Sequence, residues 1–143
     1  MRVEDIMSRD PVHCGPDATL LEVAVKMVEF DCGEIPICDD AGKPVGVITD
    51  RDIVTRAVAK GKNPASVTAA ECMSEPVVVV KQDTTLEDVL AVMEENQIRR
   101  VPVVDESGCC CGIISQADVA LCAGENKAGE LVREVSKGSV GVH

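Results

Sequence analysis

The stretch Gly46-Val47-Ile48-Thr49-Asp50-Arg51-Asp52 returns 66 residues later as Gly112-Ile113-Ile114-Ser115-Gln116-Ala117-Asp118. In both places an apolar run ends at a hydroxyl residue, and an acid follows three positions later. This pattern is typical of a buried strand that leads directly into a helix, with the acid and the hydroxyl residue forming a capping box. The free amide groups and the carboxylate of such a turn also suit a phosphate and the hydroxyls of a ribose.

The repeat extends beyond this stretch at the same offset. Met7-Ser8 corresponds to Met73-Ser74, and Pro36 corresponds to Pro102. A duplication explains the correspondence better than chance, and two copies favour a closed pair related by a pseudo-twofold axis over an open solenoid. The predicted organisation is a first domain over residues 1–61, a linker over 62–66, a second domain over 67–123 and a polar C-terminal tail over 124–143.

Each copy predicts the order strand, helix, strand, strand, helix, which is an α/β fold. The first helices follow Thr19 and Thr85, whose hydroxyl groups are expected to accept a hydrogen bond in capping boxes. The last helices are predicted to begin near Asp50 and Gln116. The predicted strands cover residues 11–13, 35–38 and 45–48 in the first copy and 77–80, 101–104 and 112–114 in the second.

The composition limits the possible partners. The 143 residues include 14 basic and 25 acidic side chains, which give a formal net charge of −11, and Phe30 is the only aromatic residue. Such an acidic surface repels phosphate backbones and anionic membranes, so neither nucleic acid nor lipid is expected as the main partner. The sequence contains no run of 18 apolar residues that would predict a membrane span, and we recognise no secretory signal in it. We therefore expect a cytoplasmic protein.

The duplicated segments resemble a tandem pair of cystathionine-β-synthase (CBS) domains, as in the small free-standing bacterial proteins of the hypoxic-response type. The resemblance covers residues 1 to about 123. It implies a homodimeric regulatory module that binds AMP, ADP, ATP or S-adenosylmethionine in clefts between the copies and signals to a separate effector protein. The segments that carry it are Asp5-Ile6-Met7-Ser8, Ile35-Pro36-Ile37, 46–52, Cys72-Met73-Ser74, Val101-Pro102-Val103-Val104-Asp105 and 112–118.

The resemblance also implies which residues bind the ligand. Asp52 and Asp118 would hold the ribose hydroxyls, next to Thr49 and Ser115 at the helix starts. The phosphates would meet the basic pair Arg99-Arg100. The purine would lie against the strands, at Val12, His13, Ile35, Pro36 and Ile37 in the first copy and at Val78, Val79, Val101, Pro102 and Val103 in the second.

The two copies differ at the implied phosphate site. Arg99-Arg100 in the second copy corresponds to Gly33-Glu34 in the first. Two guanidinium groups favour a polyphosphate and a glutamate opposes it, so two unequal sites are predicted. The alternative interpretation is that the arginines form a solvated turn, and that Asp52 and Asp118 serve only to cap helices.

The eight cysteines leave another class of function open. Cys14 and Cys38 end the first two predicted strands, and a bridge between them would be a redox sensor. Cys109-Cys110-Cys111 is dense in thiols, but neighbours in a strand point to opposite faces and do not converge on one metal ion without an irregular loop. The alternatives are a cysteine-based redox or metal-responsive sensor and a purely structural dimerisation module.

Catalysis has little support in the sequence. The chain has neither a Walker-type phosphate loop nor a metal-binding helix motif, and His13 lies in an apolar context. We therefore expect a binding module without enzymatic activity and without a cofactor. The helix residues expected to be covered, by a dimer partner or within the monomer, are Val54, Ala57, Val58, Val119, Leu121 and Cys122.

Overall fold

The computed structural model describes residues 1–122, so the tail predicted over 124–143 lies outside the described residues. The fold is mixed α/β, as predicted. The strands are β1 Ser8–Arg9, β2 Glu34–Cys38, β3 Pro44–Thr49, β4 Val80–Lys81, β5 Arg100–Val104 and β6 Cys110–Ser115. The helices are α1 Leu20–Glu29, α2 Asp50–Ile53, α3 Ala69–Cys72, α4 Leu86–Asn96 and α5 Gln116–Cys122, with a 3-10 turn at Val3–Asp5 and a π-helical stretch at Val54–Val58.

The chain forms two compact units that do not follow chain order. Among the described residues, unit A comprises Pro11–Val77 and Gly108–Cys110, and unit B comprises Met1–Asp10, Val78–Ser107 and 111–122. The first ten residues therefore belong to the unit built mainly from the second copy. The domain boundaries expected at residues 61 and 67 stay a prediction.

Unit B contains a four-stranded sheet with the order β1-β6-β5-β4. Ser8 pairs with Ile113 in the antiparallel direction, and Val80 pairs with Val103 in parallel. The apolar faces of α4 and α5 cover one core, together with residues from the N-terminal segment. The buried members of this core are Val3, Met7, Val80, Leu86, Val89, Leu90, Met93, Val101, Val103, Ile114 and Val119.

Unit A is built around the antiparallel hairpin of β2 and β3, in which Ile35 lies opposite Ile48. Two single bridges extend the hairpin: Cys14 joins Ile37 in parallel, and Ser74 joins Val47 in antiparallel. The core of this unit is likewise aliphatic. Its buried members are Cys14, Leu20, Val23, Met27, Ile35, Ile37, Ile48, Ala57, Val67, Ala69 and Cys72.

The first strand of each copy is shorter than predicted. Residues 11–13 form no strand, and β4 begins only at Val80 instead of at residue 77. The residues opposite these segments explain the difference, because Pro36 in β2 and Pro102 in β5 have no N–H group to donate to a neighbouring strand. The strands predicted over 35–38 and 101–104 are confirmed.

The predicted threonine caps are confirmed in part. The hydroxyl of Thr19 accepts from the N–H of Glu22 at 3.2 Å, and that of Thr85 accepts from the N–H of Asp88 at 3.2 Å. Among residues 1–122 the acids do not return the bond to the threonine N–H. The threonine half of each box is therefore enough to begin α1 and α4.

Two glycines, Gly46 in β3 and Gly112 in β6, allow close packing against methionines. A Cβ on Gly46 would lie 2.5 Å from Sδ of Met73, and a Cβ on Gly112 would lie 2.5 Å from Sδ of Met7. The second position is tighter, because the carbonyl oxygen of Ser8 would also lie 2.9 Å away. Because these glycines have no side chain, Met73 and Met7 can pack directly on β3 and β6. The neighbouring Ser74 and β1 can then pair with these strands.

Candidate functional site

In unit B the turn from β6 to α5 forms a reciprocal capping box. The Ser115 N–H donates to Oδ2 of Asp118 at 3.0 Å, and the Asp118 N–H donates to Oγ of Ser115 at 3.0 Å. The capping role predicted for Asp118 is confirmed. For its second oxygen, Oδ1, the described part of the chain provides no hydrogen-bond donor, so this half-buried carboxylate retains an acceptor.

The equivalent turn in unit A has the same box with two additional partners. The Thr49 N–H donates to Oδ2 of Asp52 at 3.0 Å, and the Asp52 N–H donates to Oγ1 of Thr49 at 3.1 Å. The hydroxyl of Ser74 also donates to Oδ2 at 3.4 Å, and Nη2 of Arg56 lies 3.8 Å from Oδ1. Both oxygens of Asp52 are therefore engaged within the chain.

In each unit one backbone hydrogen bond joins the start of this helix to the residue that precedes a strand, which is β2 in unit A and β5 in unit B. In unit B the Gln116 N–H donates to the carbonyl of Arg99 at 2.9 Å, and in unit A the Asp50 N–H donates to the carbonyl of Gly33 at 3.0 Å. Arg99 and Arg100 thus lie beside the Ser115–Asp118 turn, and both are exposed. The structure brings together the predicted phosphate and ribose residues of the second copy.

The two turns carry opposite charge. Unit B has Arg99-Arg100 against the single carboxylate of Asp118, with a neutral Gln116 at the first helical position. Unit A has three acids, Glu34, Asp50 and Asp52, against Arg51 and Arg56, so its turn is acidic overall. Because guanidinium groups bind anions through charge-assisted hydrogen bonds, the electrostatics of the turn in unit B favour an anionic ligand.

The residues predicted to contact a purine fall into two groups. Ile35, Ile37, Val101 and Val103 have no exposed surface, and Pro36 and Pro102 are also buried, so these side chains fill the cores. Val12 and Val78 are half-buried, whereas His13 and Val79 are exposed, and only this second group presents side chains to solvent. The assignment of a purine to these residues stays a prediction.

The predicted cysteine pair has a more complex environment than expected. The Cys38 N–H donates to the carbonyl of Cys14 at 2.9 Å, so the two main chains are adjacent, and both residues are buried. Burial raises the pKa of the Cys14 thiol. The pKa of the Cys38 thiol is raised first by a side-chain hydrogen bond with Cys110 and then by burial. Sequence reasoning did not identify Cys110 as the thiol partner of Cys38.

Two general kinds of site are not found in the described residues. Over 1–122 there is no group of three or more histidine, cysteine, aspartate or glutamate side chains placed to hold a metal ion. Each helix in the same range is too short or too polar to cross a membrane. The features that remain are the two strand-to-helix turns and the thiols around Cys38.

The duplicated turns and sheets have known counterparts. The sequence profile of the CBS domain matches residues 3–59 and again residues 69–123. The chain belongs to the CBS domain family. The tandem match makes it a CBS pair, in which each copy supplies one strand-to-helix turn.

Two relatives show how far this similarity extends. The CBS pair is 37% identical over 131 residues to hypoxic response protein 1 of Mycobacterium tuberculosis, covering 92% of this chain and 91% of the relative. It is 37% identical over 117 residues, 82% of this chain, to the uncharacterized protein MK0525 of Methanopyrus kandleri, and it spans 60% of the length of that protein.

Three solved structures are also similar to this chain along most of its length. A crystal structure of hypoxic response protein I with two coordinated zinc ions has a TM-score of 0.80 at 38% identity, covering 85% of this chain and 98% of that chain. The CBS pair of MJ0100 with 5′-methylthioadenosine and S-adenosylmethionine has a TM-score of 0.77 at 31% identity, covering 87% and 96%. CBSX2 in complex with AMP has a TM-score of 0.73 at 26% identity, covering 85% and 95%. CBS pairs are thus regulatory modules, and two of these similar structures contain adenosine-type ligands.

Proposed function

We propose that this CBS pair is a regulatory module that binds an adenosine-type ligand, namely AMP, ADP, ATP or S-adenosylmethionine, and signals its occupancy to a partner protein. The module itself catalyses no reaction. The observation that carries the proposal is the placement of Arg99-Arg100 beside the Ser115–Asp118 turn, joined to it by the bond from the Gln116 N–H to the Arg99 carbonyl.

Each part of this turn suits one part of the ligand. Asp118 uses Oδ2 for the helix cap and retains Oδ1 as an acceptor, which suits the neighbouring hydroxyls of a ribose. Arg99 and Arg100 suit the phosphates of a nucleotide or the carboxylate of S-adenosylmethionine. The exposed or half-buried Val78 and Val79 offer an apolar surface for the purine.

The equivalent turn of unit A is the weaker site. Asp52 already accepts from Ser74 and faces Arg56, so a ribose would compete with bonds inside the chain. Glu34 stands where unit B has Arg100, and it repels a phosphate. The ligand is therefore expected to bind first through unit B.

The homodimer and the partner protein are part of the same proposal. Val54, Val58 and Leu121 are more than half exposed, and association with a second copy would cover such apolar side chains. Ala57 and Val119 are completely buried inside their own units, so they are not available to a dimer. A ligand signals through such an assembly only by binding one of its conformations better than another. Light scattering on the purified chain tests the dimer.

A titration with matched variants tests the ligand. Asp118→Asn keeps an oxygen for the helix cap but removes the charge, and Asp52→Asn makes the same change in unit A. With reductant present, AMP, ADP, ATP and S-adenosylmethionine are each added while the thermal unfolding midpoint is followed. A ligand at 100 times its Kd stabilises the fold by about 2.7 kcal/mol, which raises the midpoint by several degrees.

The expected result is a rise with at least one of these ligands that Asp118→Asn removes and Asp52→Asn retains. A chain that responds to none of them at millimolar concentration contradicts the adenosine-binding proposal. A rise that both variants retain contradicts the role of Asp118 but not ligand binding itself.

A further inference from the structure

A group of thiols meets at one end of the β2–β3 hairpin in unit A. Cys38 ends β2, and the turn that follows it accepts two bonds from the segment Gly108–Cys110. The Cys110 N–H donates to the carbonyl of Gly42 at 2.9 Å, and Sγ of Cys109 donates to the carbonyl of Ala41 at 3.1 Å. The segment is therefore held against the hairpin by its main chain and by one thiol.

Within this group the side chains of Cys38 and Cys110 are hydrogen-bonded to each other. Cys38 is 4% exposed, whereas Cys110 and Cys109 are half-buried. All eight cysteines of the chain are thiols in the structure. A buried thiol in contact with a more accessible one is the arrangement found where one cysteine reacts with an oxidant and a second resolves the product.

We propose that Cys38 and Cys110 form a reversible disulfide when the protein meets hydrogen peroxide. Cys110 is the thiol that reacts with peroxide, because it is accessible, and Cys38 is the resolving thiol. The pairing of Cys14 with Cys38 that the sequence suggested is the alternative that the experiment below distinguishes. It is independent of nucleotide binding, since none of these residues belongs to the Ser115–Asp118 turn.

The Cys110 thiolate attacks one oxygen of hydrogen peroxide, the O–O bond breaks, and Cys110 becomes a sulfenic acid while hydroxide leaves. The sulfur of Cys38 then attacks the Cys110 sulfur, its proton goes to the departing hydroxyl, and water leaves as the S–S bond forms. Two thiols and one peroxide give one disulfide and two waters, so the thiols supply both electrons.

The hydrogen bond with Cys110 is the largest cause that raises the pKa of the Cys38 thiol, and burial adds to it, so Cys38 keeps its proton. Cys38 is almost completely buried and Cys110 is half-buried, so Cys110 is the sulfur that a peroxide molecule reaches. Oxidation would tie the end of β2 covalently to the start of β6, where the reduced protein has only hydrogen bonds.

Mass spectrometry of the wild-type chain tests the pairing without any variant. The reduced protein is treated with one equivalent of hydrogen peroxide, alkylated while unfolded, and digested with trypsin. Cys14 lies in peptide 10–26, Cys38 in 27–51 and Cys110 in 101–127. The proposal requires a reducible cross-link between 27–51 and 101–127, and a fall in the thiol count from eight to six.

Single substitutions then identify which cysteine of each peptide forms the cross-link, because peptide 101–127 contains four cysteines and peptide 27–51 contains two. Cys110→Ser and Cys38→Ala are expected to abolish the cross-link, whereas Cys109→Ser and Cys32→Ala retain it. A link between 10–26 and 27–51 in the wild type would overturn the proposal in favour of Cys14. No loss of thiols at tenfold excess of peroxide would overturn it as well.

Discussion

The guanidinium of Arg56 lies 3.8 Å from the carboxylate of Asp52, one helical turn earlier in unit A, and also donates to the carbonyl of Cys72 at 3.0 Å. In unit B the residue at the position of Arg56 is Cys122, which provides no charge. The two acids of the repeat therefore have different surroundings although each closes the same capping box. Asp52 is held by its own chain, and Asp118 retains an acceptor.

This difference predicts unequal costs for removing the two acids. Asp118→Ala is expected to lower the free energy of unfolding by about 1 kcal/mol, because it removes a helix cap. Asp52→Ala is expected to cost about 0.5–1 kcal/mol more, because it also removes the acceptor of the Ser74 hydroxyl and the ion pair with Arg56. Urea denaturation of the two variants measures the difference. Equal costs would mean that the additional contacts of Asp52 contribute nothing.

The two strand glycines predict a different kind of inequality. Gly112→Ala and Gly46→Ala both place a methyl group against a methionine, at an expected cost of about 1–3 kcal/mol. Both methionines pack in the cores, so each Met→Ala change is itself destabilising and the comparison needs double-mutant cycles. With Met73→Ala in place, Gly46→Ala should cost much less, whereas with Met7→Ala in place Gly112→Ala should keep most of its cost, because the carbonyl of Ser8 would still lie 2.9 Å away. Equal relief in both cycles would show that β1 shifts to admit the methyl group.

The charge contrast between the units predicts ligand selectivity. Arg100→Glu, which places in unit B the residue that unit A has at position 34, is expected to weaken AMP binding about tenfold or more. Binding of 5′-methylthioadenosine should change little, because this ligand has no phosphate. Lys81→Glu is the control, since it makes the same charge change at the far end of the β4–β5 pair. Calorimetric titration gives both affinities, and an equal loss for the two ligands would exclude a contact between Arg100 and phosphate.

The buried thiols predict how stability changes in alkaline solution under reducing conditions. The pKa of Cys14 and that of Cys38 are both raised in the folded chain, so above about pH 9 the folded state keeps protons that the unfolded state releases. The free energy of unfolding should then fall with increasing pH, by at most about 1.4 kcal/mol per pH unit for each thiol. Stability is unaffected by these two groups below about pH 8.

Substitution separates these thiols from other alkaline groups. Cys14→Ala should make the fall between pH 9 and pH 10.5 less steep, while Cys122→Ala, at an exposed position, should leave it unchanged. Denaturation curves across this pH range give the slopes. An identical slope for Cys14→Ala and the wild type would mean that Cys14 ionises as easily in the folded chain as in the unfolded one.

Local patterns in the sequence predicted the parts of the fold that local forces decide. Thr19 and Thr85 cap their helices because a hydroxyl one position before a helix meets its free amides whatever surrounds it. The capping boxes of Asp52 and Asp118 follow from the same geometry, so the strand-to-helix turns were predictable in detail. The strands at 35–38 and 101–104 were predictable because apolar runs of this length favour burial.

The errors concern pairing between distant residues. Residues 11–13 and 77–79 look like strands, but the prolines opposite them limit the ladder to Cys14 in the first copy and to Val80–Lys81 in the second. The contact of Cys38 with Cys110 joins positions separated by half of the chain, and no local pattern predicts which of eight thiols meet. The different partners of Asp52 and Asp118 also depend on distant residues, because Ser74 belongs to the other copy.

The pairing of β1 with β6 in unit B affects the order in which the chain can fold during synthesis. Ser8 pairs with Ile113, so β1 leaves the ribosome more than a hundred residues before its partner exists. Unit A contains Pro11–Val77 and needs from the later chain only Gly108–Cys110. During synthesis the hairpin of unit A can therefore form before β6 exists, whereas β1 can pair only after Ile113 has been made, so β1 is among the last strands to join its sheet.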